Sequence, residues 1–365
     1  MDHQRNGADL MASIQKMLLS IGGNAGLLKS IQQVSITIAA GATSNTATIT
    51  AVATANAAAF YGGVAGPNTT TNWATDTAGV SLTNSTTVTA TRNTSDASHS
   101  LTVVATIVEF SSGKILSIQS GTITMTAATS QTATISAVTT ANAAVIFNGS
   151  TSTNTSSTPT IDWSAVQLTN STTVTATRGT GTNNVTTYYT VIEFAAGVLN
   201  SSTQAGSIDL TGNTTQTATI TSVTASQSML IWGGNTISSG LATNRFPYIT
   251  LTNSTTVTAT RNTSNADTSP VYFTVIEFKA ADIQSVNRGT IAVGSGSTSA
   301  AATISAVTTS KTIANWLGQT NTSTGTALGK QHATIDLTNT TTVTATRATS
   351  DTTTHTASYE TIEFK

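Results

Sequence analysis

From residue 31 onward, apolar and polar positions alternate along the chain with a period of two. In the stretch Leu82-Thr83-Asn84-Ser85-Thr86-Thr87-Val88-Thr89-Ala90-Thr91-Arg92, an extended backbone puts Leu82, Val88, Ala90 and Arg92 on one face. Thr87, Thr89 and Thr91 fall on the other. The first face is expected to be core, with Arg92 at its rim, stem packed and head in water. The strand that ends in Val108-Glu109-Phe110 is apolar on both faces, which predicts cover on both sides, from a neighbouring module or another subunit.

The same pattern returns four times. The Leu82–Arg92 undecapeptide is repeated verbatim to Arg178 and Arg261, and with one Ser-to-Thr change to Arg347. Each copy is followed by a polar stretch and a strand closing in Glu-Phe, at Glu109, Glu193, Glu277 and Glu363. One module has been copied in series. The boundaries read as an N-terminal segment, 1–30, and modules at 31–112, 113–196, 197–280 and 281–365. Module openings align on Ile31-Gln32-Gln33, Ile118-Gln119-Ser120 and Ile283-Gln284-Ser285, with Ser202-Thr203-Gln204 the poorest match. That departure puts the first strand of the third module in doubt. About six short strands per module, with frequent turn signals and no helical period, predict an all-β fold of four tandem antiparallel Ig-like β-sandwiches.

The N-terminal segment follows a different period. Leu10, Met11, Ile14, Met17, Leu18 and Ile21 share one helical face, and Gly22-Gly23 ends the helix. A short amphipathic helix is marginal alone, so this stripe is expected to pack on the first module or to serve as an anchor or self-association seam.

Composition narrows the function. Only 8% of residues are charged and the net charge is −1, with no basic cluster, so a nucleic-acid partner is not expected. No apolar run approaches membrane-spanning length. Cysteine is absent, which removes disulfides and thiolate chemistry. Residues 1–21 contain Asp2, Asp9 and Lys16 and lack a signal-peptide pattern, so synthesis in a cytoplasm without standard export is expected.

Candidate chemistry is sparse. His3, His99, His332 and His355 occupy unrelated contexts and read as exposed loop residues, not metal ligands. No cofactor fingerprint is present. Four of the five glutamates hold one repeat position without a recurring second acid, so no enzyme is expected. The repeated Arg92, Arg178, Arg261, Arg347 and Glu109, Glu193, Glu277, Glu363 are read as structural charges. Hairpin pairing places them at opposite ends, so they should not meet; backbone amides, an adjacent module or another subunit are the partners expected for Glu109. Lys114, Lys279, Lys311 and Lys330 do not recur in register, which argues against an internal isopeptide bond. The four tryptophans share no repeat position: Trp232 and Trp316 read as core, while Trp73 and Trp163, in variable loops, either pin those loops or anchor contacts. The loops at 62–78, 148–165, 233–247 and 317–334 vary freely, as do the tips at 93–100 and 179–186.

Ile283–Ile291, Thr132–Val138 and the closing Val-Ile-Glu-Phe together resemble tandem modules of structural proteins of tailed bacteriophages, a resemblance that covers residues 31–365. It implies a virion protein: a head decoration or head fibre, or part of a tail or tail fibre. Its partners would be other capsid or tail proteins, and homo-oligomers, often trimers, are common in that group. A tail-associated receptor-binding fibre with a host-surface ligand is the second reading, and a bacterial surface adhesin the third. The pattern carries no site residues.

Overall fold

The computed structural model describes residues 26–67, 72–155, 163–237, 246–322 and 330–365. The stripe from Leu10 to Ile21 and His3 lie outside the described residues. The protein is 59% strand and 5% helix, built as four antiparallel sheets in a four-bladed arrangement. Threonine and valine, β-branched, favour these strands.

Each repeat contributes six strands. The first has β1 (Leu28–Ile38), β2 (Ser44–Thr48), β3 (Ala57–Ala65), β4 (Gly79–Asn84), β5 (Thr87–Thr91) and β6 (Leu101–Phe110). The second has β7 (Ile115–Thr126), β8 (Ser130–Thr134), β9 (Ala143–Ser152), β10 (Ser164–Asn170), β11 (Thr173–Arg178) and β12 (Asn184–Phe194). The third has β13 (Gln204–Asp209), β14 (Thr215–Thr219), β15 (Ser228–Asn235), β16 (Tyr248–Asn253), β17 (Thr256–Thr260) and β18 (Pro270–Glu277). The fourth has β19 (Ile283–Val293), β20 (Ser299–Thr303), β21 (Thr312–Asn321), β22 (Thr334–Asn339), β23 (Thr342–Thr346) and β24 (His355–Phe364).

The strands of one repeat do not stay together. They divide into two half-sheets, β1-β6-β3 and β2-β5-β4 in the first repeat, and each joins a half-sheet of a different repeat. The sheets run β2-β5-β4-β9-β12-β7, β8-β11-β10-β15-β18-β13 and β14-β17-β16-β21-β24-β19, and the fourth, β20-β23-β22-β3-β6-β1, closes the ring from last repeat to first. The expectation of self-contained sandwiches in series therefore needs revision. Strand number and spacing look the same whether neighbours pair within a repeat or across one.

The joints rest on a recurring glycine. Gly63, Gly149, Gly234 and Gly318 have φ between 90° and 97°, and pair with Thr334, Gly79, Ala165 and Tyr248 respectively. A Cβ on Gly149 would stand 2.2 Å from the Ala78 carbonyl oxygen, so only glycine lets the half-sheets meet. The signal was in the sequence: each glycine follows Tyr61, Phe147, Trp232 or Trp316 by two residues.

Two cores result. One runs continuously through all four repeats and includes, in the first, Ile36, Val88, Ala90 and Ile107. The other is shared by all four repeats and collects the opposite faces of the closing strands, with Val108, Ile192, Ile276 and Ile362 beside Phe110, Phe194, Phe278 and Phe364. Consecutive phenylalanine rings meet edge to face at 5.7, 5.8 and 5.5 Å. Neighbouring repeats thus supply the cover required by the two-sided strands. Tyr61, Phe147, Trp232 and Trp316 form a closed circuit of edge contacts at 6.1, 5.2, 4.7 and 5.7 Å. Trp232 and Trp316 pair with Phe273 and Tyr359 and so occupy one repeat position, contrary to the sequence alignment.

Register also corrects the module openings. Ser30, Ser117 and Ser285 all pair with the repeated glutamate, so Ile283-Gln284-Ser285 matches Leu28-Lys29-Ser30, three residues earlier than the alignment on Ile31. In the third repeat β13 begins only at Gln204, and the single bridge Leu199–Phe278 replaces the missing start.

Candidate interaction poles

The repeated undecapeptide is explained residue by residue. Val88 and Ala90 enter the core while Thr87, Thr89 and Thr91 stay half-buried on the outer face. Asn84 accepts a hydrogen bond from the Thr86 amide at 2.9 Å, an Asx turn repeated at Asn170, Asn253 and Asn339. Across that turn Thr83 and Thr89 hydroxyls meet at 2.5 Å.

Arg92 is not at the rim: it is 1% exposed. Its Nε donates to the Ala42 carbonyl at 2.8 Å, Nη2 to Ala39 at 2.9 Å and Nη1 to His99 at 3.1 Å. The guanidinium knots the turn after β1 to the tip before β6. Arg178, Arg261 and Arg347 donate likewise to Ala128, Asn213 and Ser297 carbonyls. The planar fork meets several converging carbonyls, which outweighs the rim position that its charge alone suggested. Burial lowers the Arg92 pKa, and Asp96 and Asp76 offset part of that effect.

At the opposite ends of the same strands, the glutamates bind backbone amides of their own repeats. Glu109, Glu193, Glu277 and Glu363 accept from the amides of Ala53, Thr139, Thr224 and Thr308 at 2.7–2.8 Å. Lys29 and Ser30 also reach Glu109. Burial pushes its carboxyl up, but these donors prevail and hold it below the usual range. Nearby, Gln32 clasps Thr50 through both carbonyl and amide, as Gln119 clasps Ser136 and Gln204 clasps Thr221. Arginine and glutamate of one repeat do not meet, as hairpin pairing implied.

Two chemically distinct poles follow. The glutamate pole carries the Phe110 group, the short links between repeats and both ends of the described chain. Leu27 is buried there, its carbonyl accepts from the Ser111 amide at 3.0 Å, and Gly26 abuts the Lys365 backbone. Open clefts of about 640 and 250 Å³ lie beside this point, both lined by Lys311, Phe364 and Lys365. Leu116, also at this pole, is the exposed large hydrophobic residue among those described.

The arginine pole gathers the variable loops. Trp73 sits on a short helix, Trp73–Asp76, capped by Asn72. It packs with Trp163, Phe246 and His332, one residue from each repeat, in a closed circuit of 6.3, 5.7, 5.1 and 6.1 Å. The Ala74 amide donates to the Asn154 carbonyl of the next loop, and Thr349 Oγ1 to the Pro67 carbonyl. Trp73 and Trp163 are 0% and 3% exposed, so they pin the loops to one another. His332 and His355 are buried too, at 2% and 0%, which corrects the expectation of exposed histidines; His99, bonded to Asp96, is partly exposed. Burial drives His355 down to about 3, so it is neutral. Sequence gave no sign of this, because His355 and Leu101 fill one repeat position.

Among the described residues no group of three or more His, Asp or Glu could hold a metal ion. The oxygens of Glu363, beside the larger cleft, are held by the Thr308 amide and Ser285 hydroxyl. No protein-family model, curated protein or solved structure matches this chain.

Proposed function

We propose that this chain is a non-enzymatic structural protein of a tailed-bacteriophage virion, decorating or projecting from the particle through its ring of repeats. The observation that carries the reading is the separation of the poles: the chain enters the ring at Gly26, beside Lys365, while Trp73, Trp163, Phe246 and His332, one from each variable loop, meet at the other end. Such a body would attach by one end and present the other. Within this reading each repeat is an Ig-like sandwich whose two half-sheets are completed by neighbours. Capsid or tail proteins are the partners, and several rings per attachment point, a trimer among the options, would multiply contacts. Removing residues 1–25, upstream of the buried Leu27 and of β1, should leave a folded ring that no longer incorporates into particles; normal occupancy would overturn this assignment of the attached end.

A tail-associated receptor-binding role is the second reading, favoured by the meeting of one residue from each variable loop, Trp73, Trp163, Phe246 and His332, at one end. Particles carrying the protein with all four loops shortened should then adsorb more slowly to host cells. Unchanged adsorption with normal assembly leaves the architectural role.

A further inference from the structure

One register position separates the four joints chemically. Gln33, Ser120, Ala205 and Arg288 stand opposite Thr106, Thr190, Thr274 and Glu360. Gln33 donates to Asp336 and accepts from the Leu337 amide, both of the preceding repeat in the ring. Ser120 meets the Thr190 hydroxyl at 2.8 Å. Arg288 donates Nε to Glu360 at 2.5 Å, then Nη1 and Nη2 to the Ala225 and Ser228 carbonyls of the third repeat at 2.9 and 2.5 Å. Ala205 has no side chain with which to do any of this.

A cleft of about 270 Å³ opens where that side chain would lie, lined by Ala143, Val145, Leu168, Thr203, Ala205 and Thr274. A separate space of only about 10 Å³ at the same joint is lined by Gly206, Gly233 and Tyr272. The turns Thr140–Asn142 and Ala225–Gln227 are equivalent, so Thr140 and Ala143 carbonyls match the two that receive Arg288. Here both face one side-chain donor, the Thr203 hydroxyl, at 2.9 Å each, while Thr140 also accepts from the Ala143 amide as Ala225 does from Ser228 beside Arg288. A hydroxyl has a single proton, so the pair retains acceptor capacity that Arg288 satisfies with two separate N–H groups at the next joint. No carboxylate lines the cleft, but this protein already seats guanidinium groups on carbonyls, as at Arg92 and Arg347.

We propose that the notch beside Ala205 is a docking pocket for an arginine side chain of another protein chain, its stem lying along Val145 and Leu168 and its guanidinium received by the Thr140 and Ala143 carbonyls. Arginine suits the place because its planar fork can address two carbonyls at once. The inference holds whichever particle or surface carries the protein.

The test is a titration of the full chain with N-acetyl-arginine methylamide, followed by backbone amide chemical shifts. Shifts are expected around Thr140, Ala143, Thr203 and Ala205. They should vanish in A205R and A205Q, which fill the notch as Arg288 and Gln33 fill theirs. R288A should gain a second responsive set around Ala225 and Ser228. No response at the Ala205 joint, or a response that survives both A205R and A205Q, overturns the proposal. An equal response to N-acetyl-glutamine methylamide overturns the assignment to arginine.

Discussion

Gln33 and Asp336 are hydrogen-bonded although 303 residues separate them. The contact ties the first repeat to the last, where no peptide bond does so. The Gln33 carbonyl also accepts from the Leu337 amide, so one side chain serves both a carboxylate and a backbone donor across the joint.

Replacing Gln33 with Ala should therefore loosen the closing joint. The Asp336 carboxyl, already pushed up by burial, and the Leu337 amide each lose a partner, a cost of about 1–3 kcal/mol. Urea denaturation should show that loss for Q33A and less than half of it for S120A, whose hydroxyl bonds within its own repeat.

Circular permutation should be tolerated. Gly26 lies against the Lys365 backbone, and the loop at Ser111–Lys114 joins two repeats by the same kind of turn found at Ala195–Val198. A chain with 365 linked to 26 through a short Gly-Ser bridge and opened at 112–113 should give the parent's circular dichroism and a single unfolding transition. A permutant that is helical, or that unfolds repeat by repeat, would contradict the ring.

Arg92→Ala should destabilise by about 3 kcal/mol or more, because several buried carbonyls lose their donor together. Arg92→Lys should recover less than half of this, since one ammonium cannot span carbonyls that a fork reaches. Differential scanning calorimetry of both variants separates loss of charge from loss of shape.

Stability should fall on mild acidification because of His355. Its pKa is driven from the ordinary range down to about 3 by burial, with Arg347 and His332 adding to the effect. Below about pH 6.5 the unfolded chain takes up a proton that the folded chain refuses, so stability declines by about 1.4 kcal/mol per pH unit until pH approaches the folded value. His355→Leu, the residue of the first repeat at this position, should flatten the slope between pH 6 and 4. The repeated glutamates act lower: Glu109 and Glu277 are held below the usual range, so their contribution disappears only as pH falls through those values.

Much of the strand plan was legible because side-chain alternation is local. Val88, Ala90 and the threonines between them report their own faces without help from distant residues. The partner of each half-sheet was not legible, because identical strands pair equally well with a copy near or far in sequence. Arg92 was misplaced for a related reason: its buried carbonyls come from residues 39, 42 and 99, brought together only by the fold. The loops left two readings of Trp73 and Trp163 open, pin or contact anchor, and only the fold shows that they meet Phe246 and His332 from the other two repeats. The glycine at each joint left a local trace, an aromatic residue two positions earlier, that only its positive φ explains.

The joint between β22 and β3 repeats the internal joints without a covalent link, and this fixes copy number as a property of shape. A gene that lost one copy would encode an arc with an unmatched half-sheet at each end, and a gene that gained one would have to widen every angle around the Phe110 group. Unmatched strand edges recruit other chains. Counting is thus enforced by closure: four repeats leave no half-sheet unmatched, whereas an open arc would present edges that other copies of the chain could pair with.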